Sequence, residues 1–335
     1  MNTGWVLGSA IASFVIAAFF GRWLVPRLRS RKAVQVLSED RAKWLNRRQN
    51  VPTMGGLIIV LSAIITSLVC VLLFSYFESY DKDVLKVLAG LAMSLAFGGI
   101  GFADDYIKIK KKESKGLKIK HKLLAQFVVA AAYLFVLYLL GVTSNIVIPY
   151  SGIYDIGVFF WILSAIGIVL IVNSVSISDG ADGLTGAMSF FCCLTLMILA
   201  SIMQAQCTGI SASALAGGCL GFLLWNLYPA KVNMGGVGSL FLGGYICSLA
   251  FSMDLVFLLL IVAAPFILEL LSVVVQVSYF KLTHGKRIFK MSPLHHHFEK
   301  IGWSQVKIVA VFSVATAVCG IFAVLVTIFG LSQIS

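Results

Sequence analysis

Ten apolar runs, each about the length needed to cross a bilayer as a helix, constrain this chain more than any other feature. They fall at approximately 4–24, 55–77, 84–103, 123–142, 157–175, 184–205, 210–228, 239–253, 255–279 and 307–330. Roughly 20 apolar residues are needed for each helical crossing. The expected fold is therefore an all-α polytopic membrane protein of about ten transmembrane helices, with residues 1–335 forming a single integral-membrane domain. Composition agrees: only 12% of residues are charged, against about a quarter in soluble proteins. That excludes an ordinary soluble enzyme, and the high hydropathy excludes disorder.

Charge sets the expected orientation. An even number of runs puts both termini on one side of the membrane. Of the 26 lysines and arginines, 24 lie in segments 22–53, 104–122, 229–238 and 280–307, leaving only Lys82 and Lys86 on the other face. By the positive-inside rule the lysine-rich face is cytoplasmic and both termini are external. The run from Trp5 to Leu24 has no basic residue before it and a basic segment after it, so it reads as a retained first crossing. A net charge of +12 would suggest nucleic acid in a soluble protein. Here topology accounts for most of it and no nucleic-acid partner is expected. The remaining readings are anionic membrane lipids or a polyphosphate substrate.

The seven cysteines form no C-x-x-C pair and no metal spacing, and read as small hydrophobes. No internal repeat is visible, and polar groups near the midplane are few, both of which weigh against a transporter. Glu269 is the exception. It either lines a groove for a lipid phosphate or shapes the site, or is a hydrogen-bonded structural residue.

The polar motifs gather on the expected cytoplasmic side. Asp104-Asp105-Tyr106-Ile107-Lys108 directly follows an apolar run. Adjacent carboxylates repel unless a cation or base holds them, and Mg²⁺ commonly takes one or two carboxylates plus phosphate oxygens. The pair suits a metal–phosphate site; the alternative is plain interfacial charge. A second segment, Asn173 to Leu184, contains Asp179-Gly180 and Asp182-Gly183. Those carboxylates can accept hydrogen bonds from sugar hydroxyls, a uracil or a cation's waters; the alternative is a simple hairpin turn. A third, Asn226 to Ser239, brings Gly235, Gly236 and Gly238 to a helix start, where backbone N–H groups can face an anion. A fourth, Gly285 to Glu299, sets His295, His296 and His297 beside Lys286, Arg287 and Lys290. Consecutive side chains on a helix point in different directions, so these histidines suit phosphate oxygens, with one handling a proton, better than one shared metal. The basic segment 22–53 runs into Pro52-Thr53-Met54-Gly55-Gly56 and is explained by topology alone.

Taken in order, these motifs resemble the phospho-N-acetylmuramoyl-pentapeptide transferases, within the polyprenyl-phosphate N-acetylhexosamine-1-phosphate transferases. The likeness runs from about residue 22 to 330, and the triple histidine is its most specific part. It implies transfer of phospho-MurNAc-pentapeptide from UDP-MurNAc-pentapeptide to undecaprenyl phosphate, giving lipid I and UMP in peptidoglycan synthesis. It further implies a Mg²⁺ cofactor, a homodimer and a multi-pass location in the bacterial inner membrane. Carried over by position, Asp104 and Asp105 are the catalytic carboxylates and metal candidates. Arg48, Thr53, Lys108, Lys122, Asn173, Asp179, Asp182, Asn226, Gly235, His295, His296 and His297 line the substrate site.

The chain departs from the family pattern in one chemically important place. Where the pattern reads Met-Gly-Asp, this sequence has Met234-Gly235-Gly236. The Asp at that place is the family's third metal ligand, and Gly236 has no side chain to supply it. Ser176 and Asn50 are lesser departures. Three expectations follow: this transferase with impaired activity, a weak or inactive homologue that binds nucleotide sugar or inhibitors, or a relative using another UDP-sugar such as UDP-GlcNAc.

Overall fold

The computed structural model describes residues 2–31, 51–78, 83–113 and 116–331. In chain order the elements are α1 (Thr3–Ser30), α2 (Leu57–Phe77), α3 (Asp83–Lys111), α4 (Ile119–Leu139), β1 (Asn145–Ile148) and β2 (Gly152–Asp155). They continue with α5 (Val158–Ser178), α6 (Leu184–Ile202), α7 (Gln206–Asn226), α8 (Gly235–Ser252) and α9 (Val256–Val262). The last three are α10 (Ala264–Leu282), α11 (Leu294–Lys300) and α12 (Gln305–Leu331). Ten of these helices are long and apolar enough to cross a membrane, as the sequence predicts.

Their arrangement follows from where the small residues lie. α7 and α8 are almost wholly buried, and carry Gly, Ala and Ser at most helical turns. Small side chains let backbones approach closely, which is how helices associate where lipid removes the hydrophobic drive between them. α8 packs most extensively on α3, and α1 on α7. The α3–α8 crossing is tightest at Gly101, where a Cβ would lie 2.1 Å from the Gly236 carbonyl oxygen. Glycine is obligatory at that contact. In the bundle centre Tyr245 on α8 ties two further helices, its hydroxyl lying 2.5 Å from Ser67 Oγ and 2.7 Å from Ser211 Oγ. α1, α4, α10 and α12 present much of their apolar surface outward.

Three details differ from the sequence-based expectation. The run 255–279 is not one helix: it breaks at Ala263, and the crossing is made by Ala264–Leu282. Pro265 at the start of α10 lacks the N–H that would carry the ladder through. The expected span 239–253 begins earlier, at Gly235, because the glycines themselves form the first helical turn. Ser239 Oγ donates to the Gly235 carbonyl at 3.1 Å across that turn. Finally, the all-α expectation has a local exception, in the connection between α4 and α5. That connection forms an antiparallel hairpin with Asn145 opposite Asp155, braced by Ser144 Oγ donating to the Asp155 carboxylate.

Candidate active site

Helices α3, α5 and α10 end, and α8 begins, at the same end of the bundle, where α11 also lies. A cavity of about 340 Å³ occupies this junction. It is lined by Asp104, Asp105, Lys108, Lys122, Asp179, Asn233, Gly235, Gly236 and His296, among others. Four motifs far apart in sequence therefore share one wall.

Asp104 and Asp105 lie within the last two turns of α3, and both are buried. Lys108 sits one turn further on. Its Nζ is 2.7 Å from Asp104 Oδ2 and 3.9 Å from Asp105 Oδ1. Lys122 Nζ approaches Asp104 Oδ2 at 3.5 Å, and the Leu117 N–H donates to Asp104 Oδ1 at 2.8 Å. Asp104 is thus committed to two ammonium groups and a backbone donor. Asp105 is engaged differently: its Oδ2 accepts the Val237 N–H at 3.2 Å, in the first turn of α8.

Backbone donors of the glycine segment do face anions, but the anions are the protein's own carboxylates. Asp179 Oδ2 accepts the Gly235 N–H at 2.9 Å. Gly235 has φ +76°, a left-handed conformation that L side chains rarely adopt. A Cβ there would also meet Asp105 Oδ2 at 2.6 Å and Thr53 Oγ1 at 2.7 Å. The segment from Pro52 to Gly56 is laid against this turn by backbone bonds. Asn233 N–H donates to the Pro52 carbonyl, and Gly55 N–H to the Asn233 carbonyl, each at 2.8 Å. That places Thr53 beneath Gly235, where its buried hydroxyl has no hydrogen-bond partner.

Several expected substrate residues brace the site and do not line it. Asn226 accepts the Gly183 N–H at 3.0 Å and donates to the Val232 carbonyl at 2.8 Å. Asp182 accepts the Ala230 N–H at 3.1 Å. Together they join the double Asp-Gly loop to the glycine segment. Asn173 donates to Gln126 Oε1 at 2.7 Å, between α5 and α4. The three histidines diverge, as helical geometry requires. His295 faces Glu269, His296 lies on the cavity with Nδ1 2.7 Å from Glu299 Oε2, and His297 Nδ1 accepts the Lys290 N–H at 3.1 Å. Arg48 lies outside the described residues. Asn233 went unassigned in the sequence; its Oδ1 is buried without a hydrogen-bond partner at the cavity. The only sequence signal for it is a polar residue just before Met234-Gly235.

The donor chemistry can be tested against a divalent cation. Among the described residues no group of three His, Cys, Asp or Glu side chains is arranged to hold a metal. The lining carries three carboxylates and two ammonium groups, so a bound diphosphate would meet uncompensated negative charge. Mg²⁺ is commonly held by one or two carboxylates completed by substrate phosphates. Asp105, Asp179 and the unpartnered Asn233 Oδ1 fit that shared mode, and they do not make a closed protein cage.

The fold and this charged cavity define a polytopic membrane protein with a polar site suited to phosphate-bearing ligands at one end of its bundle. Residues 87–254 match the model of glycosyl transferase family 4. Across nearly its whole length the chain is similar to phospho-N-acetylmuramoyl-pentapeptide-transferases. It is 39% identical to that of Bacillus subtilis, over 95% of this chain and 97% of the relative. The Heliobacterium modesticaldum protein is 38% identical over 94% and 95%, and that of Desulfotalea psychrophila 38% over 95% and 91%. The chain belongs to the phospho-N-acetylmuramoyl-pentapeptide-transferase family, and is a multi-pass transferase of the bacterial inner membrane.

Proposed function

We propose that the chain moves phospho-MurNAc-pentapeptide from UDP-MurNAc-pentapeptide to undecaprenyl phosphate, releasing UMP and forming lipid I for peptidoglycan. The observation that carries this reading is the convergence of Asp104, Asp105, Lys108, Lys122, Asp179 and His296 on one cavity at one end of an apolar bundle. A soluble nucleotide sugar and a lipid phosphate can meet only at such a membrane boundary. The charge bias of the loops supports a cytoplasmic position for that boundary, with both termini external. Residues 1–335 act as one membrane domain, and the family resemblance favours a homodimer.

Lys108 and Lys122 are placed to attract phosphate oxygens while holding the Asp104 carboxylate oriented. Asp105, fixed by the Val237 N–H, is the carboxylate best placed either to accept a proton from the lipid phosphate, which then displaces UMP, or to attack the sugar-bearing phosphorus itself with UMP leaving, the lipid phosphate then displacing Asp105. His296 provides a proton-carrying group on the same cavity. Mg²⁺, held by Asp105 and Asp179 with substrate oxygens, would offset charge on the diphosphate and the departing UMP.

A second reading is favoured by Gly236, which lines the cavity but offers no carboxylate. In that reading the chain binds the nucleotide sugar and turns it over slowly. One experiment separates the two. UMP release from UDP-MurNAc-pentapeptide and undecaprenyl phosphate is followed for the protein and Asp105→Asn, beside binding of the UDP-sugar. Turnover by the parent that the substitution lowers about 10²–10³-fold supports the transferase; binding with negligible turnover supports the second reading. Absence of both sinks the assignment.

A further inference from the structure

We infer that Glu269 is a positioning residue for this cavity, acting through the ring of His295. For its effect on turnover the inference rests on the transferase reading above; its geometry does not. Glu269 lies within α10 with no solvent exposure. A carboxylate in a membrane bundle is costly unless it is fully engaged, and both oxygens of this one are. Oε1 accepts the His295 N–H at 3.2 Å, and Oε2 lies 3.1 Å from His295 Nδ1. One side chain therefore fixes both the backbone and the ring of the first histidine in α11.

The direction of the ring follows. With the His295 backbone N–H already donating to Oε1, an Nδ1–H donating to Oε2 lets one carboxyl group accept both bonds, and this geometry assigns the imidazole proton to Nδ1. Nε2 then faces the opposite way, toward the Asp179–Gly180 loop. It lies so close that a Cβ on Gly180 would be 1.9 Å from it. Asp179, the preceding residue, holds the Gly235 N–H. A continuous series of contacts thus runs from α10 through His295 and Gly180 to the carboxylate and glycine turn that wall the cavity. His296 is set by the same anchor, its ring centroid 4.2 Å from that of His295. The protein uses one buried carboxylate to set the tautomer of His295 and, with it, the Asp179 wall and the His296 face.

The test is Glu269→Gln, which keeps size and shape but turns an N–H₂ toward Nδ1. Nitrogen-15 spectra of histidine-labelled protein in detergent report the tautomer directly, and the chain has only five histidines. His295→Gln assigns the signal. The expected result is an Nδ1–H tautomer for His295 in the parent and loss of that signal in Glu269→Gln. With it, kcat for UMP release falls at least tenfold while the thermal midpoint changes little. Glu269→Asp, retaining the carboxylate, recovers part of the rate. In a His295→Gln background Glu269→Gln adds no further loss.

An unchanged tautomer overturns the inference. So do losses that multiply in the double variant, or a fall in midpoint with kcat intact, which would mark a purely structural tie between α10 and α11. If the parent shows no transferase activity, the spectra still decide the positioning role, and only the transferase reading fails.

Discussion

Gly236→Asp tests the chemistry of the site most directly, because the structure fixes where the new carboxylate would stand. Gly236 lies in the first turn of α8, and a Cβ there would sit 3.2 Å from Asp105 Oδ1 and 3.3 Å from the Gly101 carbonyl oxygen. These contacts are tight but need shifts of only tenths of an ångström. The side chain would point at Asp105, onto the cavity. A carboxylate in the first turn of a helix gains about 0.3–1 kcal/mol from the helix dipole. Against this, two like charges about 4 Å apart repel by roughly 4 kcal/mol at an effective dielectric of 20. Without a divalent cation the variant should therefore be less stable than the parent.

With the cation the sign reverses, since the same Coulomb arithmetic makes each added carboxylate attractive to Mg²⁺. Desolvation consumes part of that gain. A tenfold to hundredfold drop in the Mg²⁺ concentration for half-maximal activity remains, about 1.4–2.8 kcal/mol. The assay is UMP release titrated with Mg²⁺, alongside thermal midpoints with and without the ion. Turnover at saturating Mg²⁺ should rise by about a hundredfold, the scale on which one electrostatic group contributes to catalysis. Identical Mg²⁺ dependence in parent and variant would refute the reasoning. So would a variant that Mg²⁺ fails to stabilise more than the parent.

Further outcomes follow from particular contacts. Asp105→Asn should lower turnover by about 10²–10³-fold with the fold intact, because an amide oxygen can still accept the Val237 N–H; UMP release and thermal melting check this together. Gly235→Ala should cost at least about 1–2 kcal/mol for the left-handed backbone alone, and should abolish activity by pushing Asp105 and Thr53 apart. Tyr245→Phe strands the Ser67 and Ser211 hydroxyls in the bundle centre. It should lower stability by about 1–2 kcal/mol, read as a lower detergent melting midpoint, with UMP release unchanged.

The sequence by itself determined the number of crossings, the segments that make them, and the motifs that would matter. Those properties are local: twenty apolar residues in a row have one low-energy conformation in lipid, and Asp104-Asp105 or Asp179-Gly180 stand out because charge between apolar runs is costly. The family was legible for the same reason, since its motifs are short and ordered along the chain. Tertiary structure decided which polar residues face the cavity and which brace it. Nothing local separates Asp179, which lines the cavity, from Asp182, three residues away, which holds the Ala230 N–H. Nor does the triple histidine announce that His296 alone faces the cavity while His295 turns to Glu269 on another helix. Those assignments depend on packing at glycine contacts such as Gly101 against Gly236. There the approach of two backbones, set by the absence of a side chain on Gly101, fixes where every neighbouring carboxylate can point.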